Sequence, residues 1–206
     1  MSAKKRGTIS CDCGKCEITV ADGRAIQYFR CGCEDCRQAA QWAKLKGGKA
    51  PDQLPHAYYI PADIITSKGK QFMKNVKLRN DGRSSRIYCN ECYSLIGVDH
   101  PRYQSNVLLI SPKHCKTDCD LSVPLTLMLH MIDYPKTSDP PPADDVPLFH
   151  SFRYSQELDR FLSIPTVANT FRERSEPLEG ISFTSLIKSL GAQEILNLEQ
   201  GENLLD

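Results

Sequence analysis

Three cysteines within residues 31–36 constrain the fold of this chain more than any other feature. The stretch RCGCEDCR at residues 30–37 carries Cys31, Cys33 and Cys36 in the spacing C-x-C-x-x-C. Side chains two apart on an extended segment face the same side, and a turn through the next two residues brings the third thiol to the same point. Three sulfurs at about 2.3 Å from a common centre form a zinc site with one tetrahedral corner unfilled, unless a distant residue fills it. The spacing therefore predicts a zinc site of the catalytic kind, with these three cysteines as its ligands.

The cysteine content of the whole chain favours metal binding over disulfide bonding. The chain has ten cysteines in 206 residues, begins MSAKKR with no apolar run behind it, and contains no apolar stretch of bilayer-spanning length. We therefore expect a cytoplasmic protein with no membrane partner, and in a reducing compartment clustered cysteines more often hold metal than form disulfides. A formal net charge of +1 gives no global reason to expect a nucleic-acid partner.

A second group of cysteines predicts a structural zinc site. Cys89 and Cys92 form a C-x-x-C pair after RIY, and such a pair leaving a strand is typical of a zinc knuckle, whose turn aims backbone N–H groups at the sulfurs. The pair needs two more ligands, and the extended C-x-C of Cys11 and Cys13 presents two sulfurs on one side. The resulting four-sulfur site would clamp the start of the chain to residues far along it, contributing about 10–16 kcal/mol of apparent binding energy to folding.

The remaining cysteines leave two alternatives open. Cys16 either fills the open corner of the C-x-C-x-x-C site, which would make both sites inert, or is a small buried core residue where a strand begins. We favour the core position. Cys115 and Cys119 either form a third partial site with His114 or are plain thiols in a loop, and we favour plain thiols.

Hydrophobic periodicity and turn residues predict a mainly β chain with a helical C-terminal part. Alternating residues indicate strands at 17–20, 25–30, 56–60, 95–98 and 106–110, with Asp22-Gly23 as a hairpin signal between the first two. Helices are predicted at 34–46, where acids occupy the first turn and Gly47-Gly48 ends the pattern, and at 155–163 and 182–198.

The same pattern divides the chain into four regions. We expect a disordered basic N-terminus at 1–7, a zinc-binding domain at 8–134, a Pro-rich linker at 135–147 and a helical appendage at 148–206. The last seventy or so residues show no second globular domain, so the appendage must dock on the first.

Three motifs together resemble the glutathione-dependent formaldehyde-activating enzyme family, which also includes centromere protein V. They are CDCG at 11–14, CGCEDCR at 31–37 and RIYCNEC at 86–92, with seven cysteines in register, and the resemblance covers about residues 8 to 110. The chain departs from that family in two places. Tyr93-Ser94 follows Cys92 where the family usually has Gly and a small polar residue, and the long tail after Ile110 is atypical.

The resemblance implies a β-tent fold, built of small antiparallel sheets pinned by two zinc ions per chain. The four-sulfur set matches the family's structural zinc ligands, and Cys31, Cys33 and Cys36 match the ligands of its catalytic zinc. It also implies a carbon–sulfur lyase that uses glutathione as co-substrate and adds a thiol to, or eliminates it from, a carbon electrophile. The expected partners are therefore a small-molecule thiol and an electrophile; the oligomeric state is left open, a homodimer included.

Glutathione carries two carboxylates, so basic side chains are expected near its pocket. Arg37 and Lys46, in and after the cysteine loop, are candidates for binding it. A basic run opposed mainly by Asp81 is another source, unless it is simply a solvated face; it comprises Lys68, Lys70, Lys74, Lys77, Arg79, Arg83 and Arg86. Spacing singles out no general acid or base among His56, His100, Tyr58 and Tyr59.

Two other functions fit the same cysteine pattern. One is a non-catalytic, zinc-stabilised binding module of the centromere protein V type, in which a fourth protein ligand completes the second zinc site. The other is a zinc enzyme that acts on a specialised metabolite without glutathione. In the favoured hypothesis, the sulfur of glutathione occupies or adjoins the open corner as an activated nucleophile.

Overall fold

A computed structural model describes residues 5–135, 146–172 and 176–205. Within these residues thirteen strands form two sheets and are accompanied by four α-helices, so the prediction of a mainly β chain is confirmed. The elements are β1 (Gly7–Ser10), β2 (Glu17–Val20), β3 (Gln27–Cys31), α1 (Glu34–Leu45), β4 (His56–Pro61), β5 (Asp63–Lys68), β6 (Met73–Lys77), β7 (Ser85–Cys89), β8 (Leu95–Asp99), β9 (Val107–Ile110), β10 (Lys116–Thr117), β11 (Leu125–Leu129), α2 (Ser155–Leu162), α3 (Pro165–Thr170), β12 (Ile181–Ser182), α4 (Phe183–Ser189) and β13 (Glu194–Ile195).

The two sheets differ in size and in strand direction. The smaller sheet has the order β10-β1-β2-β5-β12 and is antiparallel throughout. The larger sheet has the order β11-β3-β4-β9-β8-β7-β6-β13 and is antiparallel except at its two edges, where β11 joins β3 and β13 joins β6 in parallel. The expectation of small antiparallel sheets therefore holds for the five-stranded sheet, whereas the larger one extends to eight strands.

The two faces of the eight-stranded sheet are covered by different parts of the chain. Alternation along β7 sends Ile87 and Cys89 to the core between the sheets, while Tyr88 belongs to the core under α1. On that second face Tyr88 meets Trp42 of α1 edge to face at 5.1 Å between ring centroids, and its hydroxyl donates to the Ala39 carbonyl at 3.1 Å. Helix α1 is thus fixed over the sheet by one aromatic pair and one buried hydrogen bond.

The prediction of a hairpin at Asp22-Gly23 is wrong. Strands β2 and β3 lie in different sheets, β2 between β1 and β5 and β3 between β11 and β4. The Asp22 carboxylate accepts from the backbone N–H of Arg24 at 3.1 Å, which closes a local turn. The chain leaves this turn towards the other sheet, because both hydrogen-bonding edges of β2 are taken, by β1 and by β5.

The predicted helix at 182–198 is also wrong in its second half. Helix α4 ends at Ser189, and Gly191 follows in the left-handed region at φ +83°, where a glycine is favoured. The chain beyond it runs extended and pairs with β6 as β13, leaving Ile195 37% exposed. The helices predicted at 34–46 and 155–163 are found as α1 and α2.

The C-terminal part contributes one strand to each sheet. Strand β12 extends the smaller sheet and β13 extends the larger one, and Phe183 of α4 is fully buried in the core between the sheets. A Cβ on Gly97 would lie 2.8 Å from the Phe183 ring, so a glycine at 97 makes room for that ring. The expected helical appendage is therefore helical only in part.

Two of the predicted regions, the N-terminus and the linker, are described only in part by the structure. Residues 1–4 of the N-terminus expected to be disordered, and residues 136–145 of the expected linker, lie outside the described residues. Gly7, which was assigned to the disordered N-terminus, already belongs to β1. No helix in the described part of the chain combines the length and apolar character needed to cross a bilayer.

Candidate metal centres

Four sulfurs from two distant parts of the chain converge between the sheets, as their spacing predicts. The Sγ atoms of Cys11, Cys13, Cys89 and Cys92 all lie within 4.8 Å of one another. The Sγ–Sγ distance is 3.4 Å between Cys11 and Cys13 and 3.7 Å between Cys13 and Cys89. A tetrahedral zinc with bonds of about 2.3 Å needs sulfurs about 3.8 Å apart. We call these residues the four-sulfur cluster; its donor set and spacing fit a structural zinc ion.

The turn that carries Cys92 has a tyrosine in a strained backbone conformation. Tyr93 adopts φ +52°, a left-handed conformation that costs a residue with a side chain more than it costs glycine. Its ring packs edge to face on Trp42 at 5.4 Å, which helps to hold the turn. The Ser94 Oγ lies 3.3 Å from Cys92 Sγ, and although burial opposes it, hydrogen bonds from Ser94 lower the pKa of Cys92 to about 6. The sulfur is therefore prepared for deprotonation, as a metal ligand must be.

The cysteines outside the predicted ligand sets do not join either cluster. Cys16 is fully buried, and its backbone N–H donates to Cys11 Sγ at 3.2 Å. It lies beside the four-sulfur cluster, so in this structure it does not complete the site at the C-x-C-x-x-C loop. Burial raises the pKa of Cys16 to about 12, and that of Cys115 to about 12 as well. His114, Cys115 and Cys119 are likewise absent from the metal-like clusters found among the described residues.

The second cluster lies at the junction of β3 and α1. Cys31 ends β3, Cys33 is the N-cap of α1, and Cys36 is in its first turn, with their Sγ atoms within 4.8 Å of one another. The Cys36 backbone N–H donates to Cys33 Sγ at 3.3 Å, and Cys36 Sγ lies 3.8 Å from Cys31 Sγ. The positive end of the helix dipole favours thiolate at this position. We call these residues the three-sulfur cluster.

The electrostatics of the three-sulfur cluster concentrate negative charge on Cys36. Hydrogen bonds from Cys31 and Cys33, followed by the positive charge of Arg86, hold the pKa of Cys36 well below its ordinary value. The same shared hydrogen bonds raise the pKa of Cys33. The three thiols of the loop therefore titrate together, and Cys36 is the one that ionises most readily.

Arg86, which the sequence indicates only as one of seven basic residues that could lie near a pocket, is at this site. It is 3% exposed, and its guanidinium donates to the Ser84 carbonyl at a long 3.5 Å. Register places it across from Val98 on the α1 side of the sheet, where its charge reaches Cys36. A charged residue inside the otherwise apolar strand RIYC was the available signal, because an arginine is rarely buried without a reason.

The two residues proposed to bind glutathione have different positions. The Arg37 guanidinium donates to the carbonyls of Gly32 at 2.8 Å and Asp133 at 2.6 Å, which fastens the cysteine loop to the turn at Met131–Asp133. Lys46 is exposed at the far end of α1, about 15 Å along the helix axis from Cys36. The structure therefore brings Arg37 to the cluster and leaves Lys46 away from it.

Three of the seven basic residues in the run from 68 to 86 form ion pairs. Lys68 pairs with Glu17 at 2.8 Å, Lys74 pairs with Glu194 at 2.8 Å, and Arg79 pairs with Asp35. These contacts tie strands and the C-terminal tail together at the surface. Of the seven basic residues in the run, Arg86 is the one whose charge lowers the pKa of Cys36.

The acid and base candidates divide according to the face of the sheet. Tyr59 is 4% exposed on the α1 side; burial, followed by the thiols of the three-sulfur cluster, raises its pKa. Tyr58 points to the opposite face and stacks on Tyr28 at 4.5 Å. His56 lies 2.6 Å from the Tyr28 hydroxyl, and burial together with Arg83 lowers the pKa of His100 to about 4, so His100 is neutral at pH 7.

Aromatic residues of the C-terminal part cover the surroundings of the three-sulfur cluster. Phe152 packs edge to face on His130 at 4.8 Å, and burial lowers the pKa of His130. Phe171 stacks on Tyr103 at 5.8 Å and meets Tyr59 edge to face at 5.5 Å. The tail therefore forms an apolar wall on this side of the molecule.

A cavity of about 40 Å³ lies between α1 and the eight-stranded sheet, and Cys31, Cys36 and Arg86 are in its lining.

In comparisons with known proteins, no protein-family model and no curated protein matches this chain.

Proposed function

We propose that this protein is a zinc-dependent enzyme that forms or breaks a carbon–sulfur bond, with the three-sulfur cluster as its catalytic centre. The observation that carries the proposal is the difference in ligand number between the clusters. Four cysteine sulfurs converge at one, whereas the other gathers three and, within the described residues, no fourth Cys, His, Asp or Glu atom. Catalytic zinc sites keep such a position open, and structural sites close it.

The donor set at both clusters fits zinc. All ten cysteines are free of disulfide bonds, and sulfur-to-sulfur distances of 3.4 to 3.8 Å match tetrahedral thiolate coordination. In the proposed enzyme Cys31, Cys33 and Cys36 hold the catalytic ion, and the four-sulfur cluster pins the two sheets in the manner of a β-tent. A zinc ion bound at three thiolates supplies affinity for a further thiol and lowers its pKa.

The residues of the chain then orient the reaction. In the addition direction the sulfur of a thiol forms a bond to a carbonyl carbon, the π pair of the carbonyl moves to its oxygen, and that oxygen takes up the proton lost by the thiol. Arg86 is a buried cation at the cluster and would favour the negative charge that develops on this oxygen. The wall of Phe152 and Phe171 limits access of water.

Glutathione as the thiol rests on the family resemblance and on Arg37 beside the cluster. A second candidate, an enzyme that uses a smaller thiol or metabolite without glutathione, is favoured by one observation. The cavity next to Cys31 and Cys36 measures about 40 Å³, room for about three water molecules and far too little for a tripeptide. In the glutathione reading, the tripeptide must therefore lie outside this cavity and present only its sulfur to the site.

Cobalt substitution tests the proposal directly. We expect two metal ions per chain, and we expect addition of glutathione to strengthen the thiolate charge-transfer absorption of one of the two cobalt sites. A Cys33→Ser variant should bind one cobalt ion and give no response. A response to 2-mercaptoethanol alone would select the second candidate. No response to any thiol, with two cobalt ions bound, would leave a zinc-stabilised binding module and overturn the enzyme proposal.

A further inference from the structure

The cavity beneath α1 results from small side chains on the buried side of the helix. Ala39, Ala40 and Ala43 line it from the helix, and Val98 and Leu109 line it from the sheet. All five are buried, and the lining also includes His56, which is exposed. Three alanines facing a sheet leave a gap that larger side chains would have filled.

Polar atoms without partners stand in the lining of this mainly apolar space. Ser111 and His114 are 5% and 6% exposed, and Ser111 Oγ and His114 Nε2 are buried with no hydrogen-bond partner. Buried polar atoms are almost always satisfied by the protein, by ordered water or by a ligand. Burial lowers the pKa of His114, so its imidazole is neutral at pH 7 and suits an uncharged group.

The cavity has a second polar part at the three-sulfur cluster, formed by Cys31, Cys36 and Arg86. Strand order separates Ser111 from Cys31, while Arg86 lies on β7, on the other side of β9, and its charge acts on Cys36. Cys31 ends β3, and Ser111 directly follows β9, which lies two strands away across β4. Two strand spacings amount to about 10 Å, so a ligand that contacts both parts must be elongated.

We propose that this cavity binds the carbon electrophile, and that the electrophile is a short-chain carbonyl compound carrying a second uncharged oxygen group at its other end. The carbonyl group lies at Cys31, Cys36 and Arg86, a few apolar carbons lie against the alanines, and the second oxygen exchanges hydrogen bonds with Ser111 Oγ and His114 Nε2. A one-carbon electrophile leaves both of those atoms unsatisfied. This inference rests on the proposed function and gives it a substrate class.

Binding of an unreactive diol tests the cavity without requiring any chemistry. In zinc-loaded protein, butane-1,4-diol should give saturable amide shifts at Ala43, Ala57 and Ser111 in heteronuclear NMR spectra. Butan-1-ol, which lacks the second hydroxyl, should bind about tenfold more weakly, the loss of one hydrogen bond to a buried partner. Methanol should give no saturable shift.

Two variants and a control locate the binding site. Ser111→Ala should remove the preference for the diol over butan-1-ol, and Ala43→Val, which fills the space, should weaken both at least tenfold while the circular dichroism stays native. Ser151→Ala removes another buried serine away from the cavity and should change none of these values. If Ala43→Val fails to fold, the Ser111→Ala comparison alone decides.

Several results would overturn the inference. One is equal binding of the diol and butan-1-ol. Another is the absence of a saturable amide shift with the diol, which would mean that the cavity holds only water. A third is an equal effect of Ser111→Ala and Ser151→Ala on binding. If only the enzyme proposal is wrong, the result is different: the diol still binds in the cavity, but the protein forms no thiol adduct. Thiol addition to formaldehyde but not to 4-hydroxybutanal would retain the enzyme and remove this substrate class.

Discussion

The two sulfur clusters lie on opposite faces of the same sheet and are built in opposite ways. The four-sulfur cluster joins residues that are distant in sequence, such as Cys13 and Cys89, 76 positions apart; Cys11 and Cys89 lie in the core between the sheets and Cys13 is exposed. The three-sulfur cluster comes from one loop and is surrounded by Arg86, His130 and a cavity. Ligands distant in sequence make a metal site that holds a fold together, whereas ligands from one loop leave the metal site free to serve chemistry.

The largest effect should come from breaking the four-sulfur cluster with Cys89→Ser. Structural zinc contributes about 10–16 kcal/mol of apparent binding energy, which matches or exceeds the about 5–15 kcal/mol of total stability of a typical domain. We therefore expect the variant to be unfolded or aggregated by circular dichroism and size-exclusion chromatography. The control is Cys119→Ser, a buried cysteine outside both clusters, which should fold and lose about 1–3 kcal/mol. A purified Cys89→Ser protein that melts like the wild type would show that this cluster does not hold the fold together.

Breaking the three-sulfur cluster with Cys33→Ser should instead spare the fold. Cys33 is the N-cap of α1, and serine is among the preferred N-cap residues, so the helix start is retained. We expect zinc content to fall from two ions to about one per chain, thiol addition to be lost, and the free energy of unfolding to stay within about 1 kcal/mol of wild-type protein that holds zinc at the four-sulfur cluster alone. Zinc is measured by atomic emission on protein of known concentration. A variant that still carries two zinc ions would remove Cys33 from the ligand set.

A chelator should separate the clusters in time. The three-sulfur cluster has one protein thiolate fewer, and its ligands come from one loop, so zinc can leave without separating distant parts of the chain. It should therefore release zinc at least about tenfold faster than the four-sulfur cluster. We expect a first ion to appear in a colorimetric zinc assay with the circular dichroism unchanged, and the second to appear together with unfolding. Release of both ions in one phase that coincides with unfolding would contradict the division into a structural and a catalytic site.

The sulfur groupings could be predicted because they depend on local spacing. Cys11 and Cys13 present both sulfurs on one side, Cys89 and Cys92 form a knuckle, and the structure brings these four together. Helix α1 was also predictable, since acids begin it and Gly47-Gly48 follows it. The pairs and the helix need only the geometry of a few neighbouring residues, and the joining of the two pairs follows from the four ligands that a structural zinc ion needs.

Features that depend on distant partners could not be predicted in the same way. The turn at Asp22-Gly23 looks like a hairpin, but the edges of β2 are occupied by β1 and β5. Ile195 fits a helical pattern until β6 offers an open edge to pair with. The burial of Arg86 likewise depends on α1 packing over β7, which no single segment of sequence specifies.

The smallest expected effect is a change in the pKa of Cys36 at the three-sulfur cluster, and it is tested with Arg86→Met. Replacing a buried charge with few partners by an apolar chain of similar length should change stability by no more than about 1–4 kcal/mol, in either direction. In protein that holds zinc at the four-sulfur cluster alone, the positive charge of Arg86 adds to the hydrogen bonds that lower the pKa of Cys36, so its removal should raise that pKa. Because only thiolate is alkylated, iodoacetamide modification of Cys36 at a fixed pH should slow, and its midpoint should move to higher pH, as read by peptide mass spectrometry.

Arg83→Met is the matched control for this change, because Arg83 is exposed and its charge acts on His100 rather than on Cys36. It should leave the Cys36 profile in place, and Cys92, which ionises through Ser94 at the other cluster, should be unaffected in both variants. A Cys36 profile that does not move in Arg86→Met, or that moves equally in Arg83→Met, would show that the charge of Arg86 does not act at the three-sulfur cluster. The two centres would then differ in ligand number alone, and the proposed role of Arg86 at the developing oxyanion would lose its support.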